Sequence, residues 1–220
     1  MRIVMVGPPG AGKGTQAKLL AGRLGVPHIS TGDMFRSARA ECSPLGKQVS
    51  EYLDRGELVP DDLTVAVVKR RLSKTDCASG FVLDGFPRSI VQAEELEKFL
   101  TGNRLGLTHV INVQVGERKI VERLTARRSC QRCGAIYNLL TQPPKRPGTC
   151  DACGGTLLRR SDDEEETITR RLRVYESETA PLLHFYTERG LLVTVDGDKE
   201  PGTVADDIVR FVSRGCVRKD

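Results

Sequence analysis

The chain has 220 residues, 39% hydrophobic and 29% charged, with 34 Lys+Arg against 29 Asp+Glu for a formal charge of +5. That length can bury a full core without staples, the composition excludes a disordered chain, and no apolar run reaches the about 18 residues of a membrane span. The N-terminal apolar run stops at Val6, too short for the core of a secretory signal, so the expected compartment is cytoplasmic.

Arg2–Val6 reads as a buried strand, and residues 7–14 as a glycine-rich loop. Residues 15–24 are helical, with Ala17, Leu20, Ala21 and Leu24 at helical spacing. Residues 26–30 form a short strand, and Thr31 is placed to cap a helix through Met34, Phe35 and Ala38. A helix over 45–55 ends near Gly56. Pro60-Asp61-Asp62 opens another that runs to Leu72, with acids in the first turn, where the helix dipole favours them. Phe81–Asp84 is a second buried strand, followed by a helix over 91–100, a strand over 110–115 and a helix over 118–127. Residues 130–158 change character: prolines, glycines and paired cysteines, with no helical period. Residues 163–189 are helical, and Pro181 should kink or split that stretch. A strand over 191–195 and an amphipathic helix over 203–213 complete the chain. This alternation predicts an α/β fold with a parallel sheet, interrupted by an inserted subdomain at 130–158.

Two segments carry chemistry. Gly7-Pro8-Pro9-Gly10-Ala11-Gly12-Lys13-Gly14-Thr15 joins a strand to a helix, the context of a phosphate-binding loop. Its backbone N–H groups can wrap a phosphate, the helix N-terminus adds partial positive charge, and Lys13 can reach outer phosphates. The generic pattern has Ser or Thr directly after the lysine; here Gly14 intervenes and Thr15 carries the hydroxyl. Cys130-x2-Cys133-x16-Cys150-x2-Cys153 has the spacing of a tetrahedral zinc site. Four protein ligands leave no open position, so the zinc would be structural. Cys42, Cys77 and Cys216 are scattered, and an odd total of seven disfavours a disulfide framework.

The loop continues into Gln16, and is followed by Ile29-Ser30-Thr31-Gly32-Asp33-Met34, by Leu83-Asp84-Gly85-Phe86-Pro87-Arg88, and by Asp162-Asp163 with Arg171-Leu172. Four motifs in this order, collinear over nearly the whole chain, resemble the adenylate kinases, of the long-lid type with a four-cysteine zinc-binding lid. The resemblance implies a P-loop NTPase-like parallel sheet flanked by helices. Its core would take residues 1–29, 60–127 and 161–220, with an AMP-binding helical subdomain at 30–59 and the zinc-ribbon lid at 128–160. It implies reversible Mg²⁺-dependent phosphoryl transfer from ATP to AMP, giving two ADP. Gly10, Ala11, Gly12, Lys13, Gly14 and Thr15 would hold ATP phosphates, Arg123 would pack against its adenine, and the backbone of Lys199 would meet that base. Arg36 and Arg88 would anchor the AMP phosphate, with Thr31, the backbone near Glu57 and Val59, Gly85 and Gln92 around its nucleoside. Arg127, Arg160 and Arg171 would hold the transferring phosphates, and Asp84 would organise Mg²⁺. The family also implies a monomer.

Several residues have more than one reading. Arg123 and Arg127, four apart, are expected on one helix face. Asp162 and Asp163 either brace the lid arginines or cap the long helix. His28, His109 and His184 form no cluster with acids or serines and receive no catalytic role. Another nucleoside monophosphate kinase is a near alternative, disfavoured by the long insert. An ATP-dependent protein whose ribbon binds nucleic acid is a distant one: aromatic residues are 5% and Tyr137 is the ribbon's one aromatic, a poor stacking platform. The charge itself is local. Residues 118–173 hold 13 Lys+Arg against 7 Asp+Glu, and the remainder is −1. Such a cluster suits small polyphosphates, so no nucleic-acid or membrane partner is expected.

Overall fold

The computed structural model describes residues 1–41 and 43–214; Cys42 and Cys216 lie outside them. In chain order the elements are β1 (Arg2–Val6), α1 (Lys13–Leu24), β2 (His28–Ser30), α2 (Thr31–Ala40), α3 (Pro44–Arg55), α4 (Asp61–Leu72), β3 (Phe81–Asp84), α5 (Ile90–Gly102), β4 (His109–Gln114) and α6 (Glu117–Thr125). After them come β5 (Arg127–Cys130), β6 (Ile136–Asn138), β7 (Leu157–Leu158), α7 (Glu165–Val174), α8 (Pro181–Glu188), β8 (Leu192–Asp196) and α9 (Pro201–Arg214).

Five strands form one parallel sheet in the order β2-β3-β1-β4-β8. β1 is central and apolar on both faces, as a strand covered on both sides must be. Ile3 and Met5 enter a core with α1, α6 and α9, and Val4 and Val6 enter the opposite core with α4, α5 and α8. The register aligns Met5 and Ser30 with Asp84, so the C-terminal ends of β1, β2 and β3 lie side by side. Loops leaving these ends, at Gly7, Thr31 and Gly85, therefore meet at one edge, where open α/β sheets bind ligands. A separate cluster of Phe35, Val49, Val59 and Val67 supports residues 30–59.

Three expectations need correction. The helix-capping side chain is Ser30, which accepts the Asp33 N–H at 3.2 Å; Thr31 is already helical and donates its hydroxyl to Gly85 O at 2.8 Å. The helix expected over 118–127 ends at Thr125, so Arg127 lies in β5 and shares no helix face with Arg123. The long stretch at 163–189 begins as a helix only at Glu165; it does split at Pro181 as expected, with a π-helical segment, Tyr175–Thr179, just before the proline. The insert, which showed no helical period, holds a small antiparallel sheet, β6-β5-β7. Its buried core is Cys130, Cys150 and Leu157. No helix among the described residues is long and apolar enough to cross a membrane.

Candidate active site

The chain turns through residues 7–12 between β1 and α1, with Gly12 in the left-handed region at φ 95°. Lys13 donates to Gly7 O at 2.7 Å and Pro8 O at 2.8 Å, so the loop folds around its own lysine. Burial lowers the Lys13 pKa to about 7; Asp84 opposes this, and Arg88, Arg171 and Arg127 add to it. A buried ammonium among cations favours an anion beside it. Gly14 has a steric reason to depart from the generic pattern. A β-carbon there would stand 3.1 Å from Asp84 Oδ2, a tight contact that the carboxylate would have to move a few tenths of an ångström to relieve. Thr15 is exposed and carries the hydroxyl.

Asp84 ends β3 at this edge. Burial raises its pKa, but the adjacent His28 ring and the charges of Lys13 and Arg88 outweigh that and hold the group below its usual value. His28 Nε2 lies 3.8 Å from Asp84 Oδ2, so this histidine faces the site although its sequence neighbours gave no such signal. The cleft beside them is lined by Lys13, Thr31, Arg36, Glu57, Val59, Gly85, Arg88, Gln92, Asp162 and Arg171. Arg88 is fixed by Nε donating to Gly85 O at 2.8 Å, and burial lowers its pKa to about 10. Arg36 pairs with Asp33 at 2.6 Å. Gln92 is 1% exposed; its oxygen accepts the Arg88 N–H and its amide nitrogen donates to Asp61, which leaves one N–H for a ligand.

The lid arginines are held by carboxylates. Asp163 is fully buried and takes two bonds from Arg127, at 2.8 Å from Nε and 2.5 Å from Nη2. Arg171 lies 3.1 Å from Asp162 and 3.4 Å from Asp163. Arg159 Nε and Nη2 donate to the Asp163 carbonyl. α7 has Glu164 at its N-cap and no side-chain cap, so the two aspartates brace arginines and cap nothing. Burial lowers the Arg160 pKa to about 9, with Arg127 and Arg36 adding repulsion. Six cations (Lys13, Arg36, Arg88, Arg127, Arg160, Arg171) thus converge with four carboxylates, an excess that phosphate oxygens can neutralise.

Arg123 and Lys199 stand apart, at the loop after β8. Arg123 Nη2 donates to Gly197 O at 2.9 Å, and Asn138 Nδ2 donates to Arg123 O at 3.1 Å, tying α6 to the insert. The Lys199 side chain is bound to Asp207 on α9 at 2.8 Å, leaving its backbone for any contact with a base.

In the insert, the sulfurs of Cys130, Cys133, Cys150 and Cys153 all lie within 4.8 Å of one another. A tetrahedral zinc with Zn–S near 2.3 Å needs sulfurs about 3.8 Å apart. The Cys130–Cys153 and Cys133–Cys150 separations, 3.4 and 3.6 Å, fall a few tenths of an ångström short of that value and no pair exceeds 4.8 Å, so the four residues fit a zinc ion. The Tyr137 hydroxyl lies 3.5 Å from Cys150 Sγ, and its hydrogen bond brings that thiol down to about 6, toward the thiolate a metal requires. Sequence reasoning missed Tyr137, Asp61, Arg159 and His28 as supporting groups. Each acts through a partner distant in sequence or through a loop turn, so spacing carried no signal for it.

The family model described as adenylate kinase matches residues 5–191. The chain is 52% identical over 208 residues to an adenylate kinase of Caldanaerobacter subterraneus subsp. tengcongensis, covering 94% of each chain. It is 53% identical over 212 residues to one of Symbiobacterium thermophilum, covering 96% of this chain and 98% of the relative. It is 51% identical over 208 residues to one of Bacillus licheniformis, covering 94% of this chain and 96% of the relative.

Proposed function

The chain belongs to the adenylate kinase family and has that phosphotransferase activity, and we propose how the residues of its cleft divide the reaction Mg·ATP + AMP ⇌ 2 ADP. The observation that carries this reading is the convergence of the folded-back Lys13 loop with Arg36, Arg88, Arg127, Arg160 and Arg171 around one cleft. Gly10, Ala11, Gly12, Lys13, Gly14 and Thr15 hold the donor phosphates, and Arg123 and the Lys199 backbone flank the donor base. Arg36 and Arg88 anchor the acceptor phosphate. Thr31, Glu57, Val59, Gly85 and Gln92 surround its nucleoside, and the free N–H of Gln92 supports adenine as the base. Arg127, Arg160 and Arg171 neutralise charge on the transferring group, which is most of what phosphoryl transfer requires.

Mg²⁺ accompanies the nucleotide; Asp84 and the Thr15 hydroxyl are the oxygen groups that would position it, and it would neutralise charge between the donor phosphates. Zinc in the four-cysteine site would make the lid, residues 128–160, rigid enough to move as one body and exclude water from the phosphates. Residues 30–59 form the acceptor subdomain, and residues 1–29, 60–127 and 161–220 the core. The working form is a cytoplasmic monomer.

A coupled assay with Mg·ATP tests the assignment. AMP is the expected acceptor, with ADP as product. Turnover with GMP, CMP or UMP and none with AMP would assign the cleft to another nucleotide.

A further inference from the structure

We propose that Cys133 is the reactive corner of the lid's sulfur cluster: peroxide attacks there first, and Cys150 closes the product as a disulfide. This rests on reading the cluster as a metal centre. The four sulfurs are chemically alike but unequally placed. Cys130 and Cys150 are buried and Cys153 is half-buried, whereas Cys133 is exposed. Cys150 is further sheltered by Tyr137. That hydroxyl accepts the Asp151 N–H at 2.8 Å, which leaves its own proton for Cys150 Sγ at 3.5 Å. A hydrogen bond onto a thiolate lowers its nucleophilicity. Cys133 follows Arg132, whose guanidinium stays at the cluster by donating to Cys153 O at 3.3 Å.

The pairing also follows from distance. Cys133 Sγ is 3.6 Å from Cys150 Sγ, and a small movement brings the two to a bond. Cys130 and Cys153 are closer still, at 3.4 Å, but neither is as open to solvent, so exposure and not distance sets the order. The Cys133 thiolate attacks one peroxide oxygen; the O–O bond breaks, hydroxide leaves and a sulfenic acid forms. The Cys150 thiolate then attacks that sulfur, the S–S bond forms and a second hydroxide leaves. Two protons from solvent convert the hydroxides to water. Two sulfurs together lose two electrons and peroxide gains them. Two of the four thiolates that would hold a zinc ion are thereby consumed, so the site would no longer retain it. The disulfide then joins the same two Cys-x-x-Cys turns that the metal had joined.

The test uses the full chain. Metal content is measured first, and one zinc per chain checks the metal-centre reading by itself. Substoichiometric peroxide is added, free thiols are capped with iodoacetamide, and peptide mapping follows every cysteine while a coloured chelator reports released zinc. Expected are oxidation of Cys133 about tenfold ahead of Cys130 and Cys153, a Cys133–Cys150 linkage, and one zinc released per linkage. A Cys130–Cys153 linkage formed first, or all four cysteines reacting at one rate, overturns the proposal. So does a lid that keeps its four thiols while buried Cys77 oxidises. Metal-free protein put through the same mapping still tests the preference, because the exposure of Cys133 does not depend on the ion.

Discussion

Lys13 has a measurable consequence at pH 8. In the free protein burial holds its pKa near 7, so at that pH most of the population is neutral, whereas a polyphosphate in the loop restores the cation. Nucleotide binding at pH 8 should therefore take up about one proton, and the uptake should vanish near pH 6, where Lys13 is already charged. Calorimetric titration in two buffers of different ionisation enthalpy reads this directly; no proton uptake at pH 8 would refute it. The same shift sets a sign for stability. The unfolded lysine titrates near 10.5, so between pH 7 and that value the unfolded chain binds more protons. This group's contribution to stability therefore rises with pH across the window. At this scale the sequence was legible where chemistry is local. The spacing of Gly12, Lys13 and Thr15 announced the loop, and the two Cys-x-x-Cys pairs announced the cluster of four sulfurs. It was silent where partners are remote. Arg127 and Asp163 are 36 residues apart, and nothing in either segment says that the carboxylate is buried beneath the guanidinium. The alternatives for Asp162 and Asp163, brace or cap, therefore needed three dimensions to separate.

At the level of elements, the strands of the main sheet other than β2 were readable because each is a short, mainly apolar run that ends close to a glycine or a polar residue; β2 is only His-Ile-Ser. The lid strands were not: Arg127–Cys130 reads Arg-Arg-Ser-Cys, with no alternation, and is fixed by its pairing with β6 and β7. The π-helical segment likewise follows from Pro181 acting on preceding carbonyls, which a periodicity count does not register. The corner between α2 and α3 gives a sharper expectation. Ser43 caps α3 by accepting the Gly46 N–H at 3.0 Å and donates its own hydroxyl to Ala38 O at 2.9 Å. A β-carbon at position 46 would stand 2.1 Å from that same carbonyl oxygen and 2.4 Å from its carbon, both backbone atoms that cannot swing aside. Gly46→Ala should therefore force the helices apart and destabilise the fold by about 1–3 kcal/mol. Because the strain falls within residues 30–59, KM for the acceptor nucleotide should rise while KM for ATP changes little. Thermal melting and paired titrations of the two substrates check this, and an unshifted melting temperature with equal KM changes would contradict it.

For the whole molecule, the excess charge lies in the insert and the elements that flank it: residues 118–173 carry 13 Lys+Arg against 7 Asp+Glu. Much of that charge faces the cleft or is already paired with carboxylates, which is why a basic chain need not be a general polyanion binder. The parts are also tied across the cleft. Asp54 on α3 accepts from Arg39 on α2 at 2.7 Å and from the Ser161 hydroxyl, just before α7, at 3.0 Å. Arg170 on α7 donates to Arg55 O at 3.1 Å. Residues 30–59 are thus held against the segment that leaves the lid. Side chains 53% and 34% exposed, as at Asp54 and Arg39, make pairs worth at most about 1 kcal/mol, so Asp54→Ala should leave the melting temperature nearly unchanged. A body that moves between two arrangements responds differently, because about 1 kcal/mol changes a population ratio roughly fivefold. The variant should raise acceptor KM by up to about fivefold and lengthen the distance between labels on α3 and α7 in the free protein. If KM and the label distance stay at wild-type values, these contacts do not set the balance between arrangements.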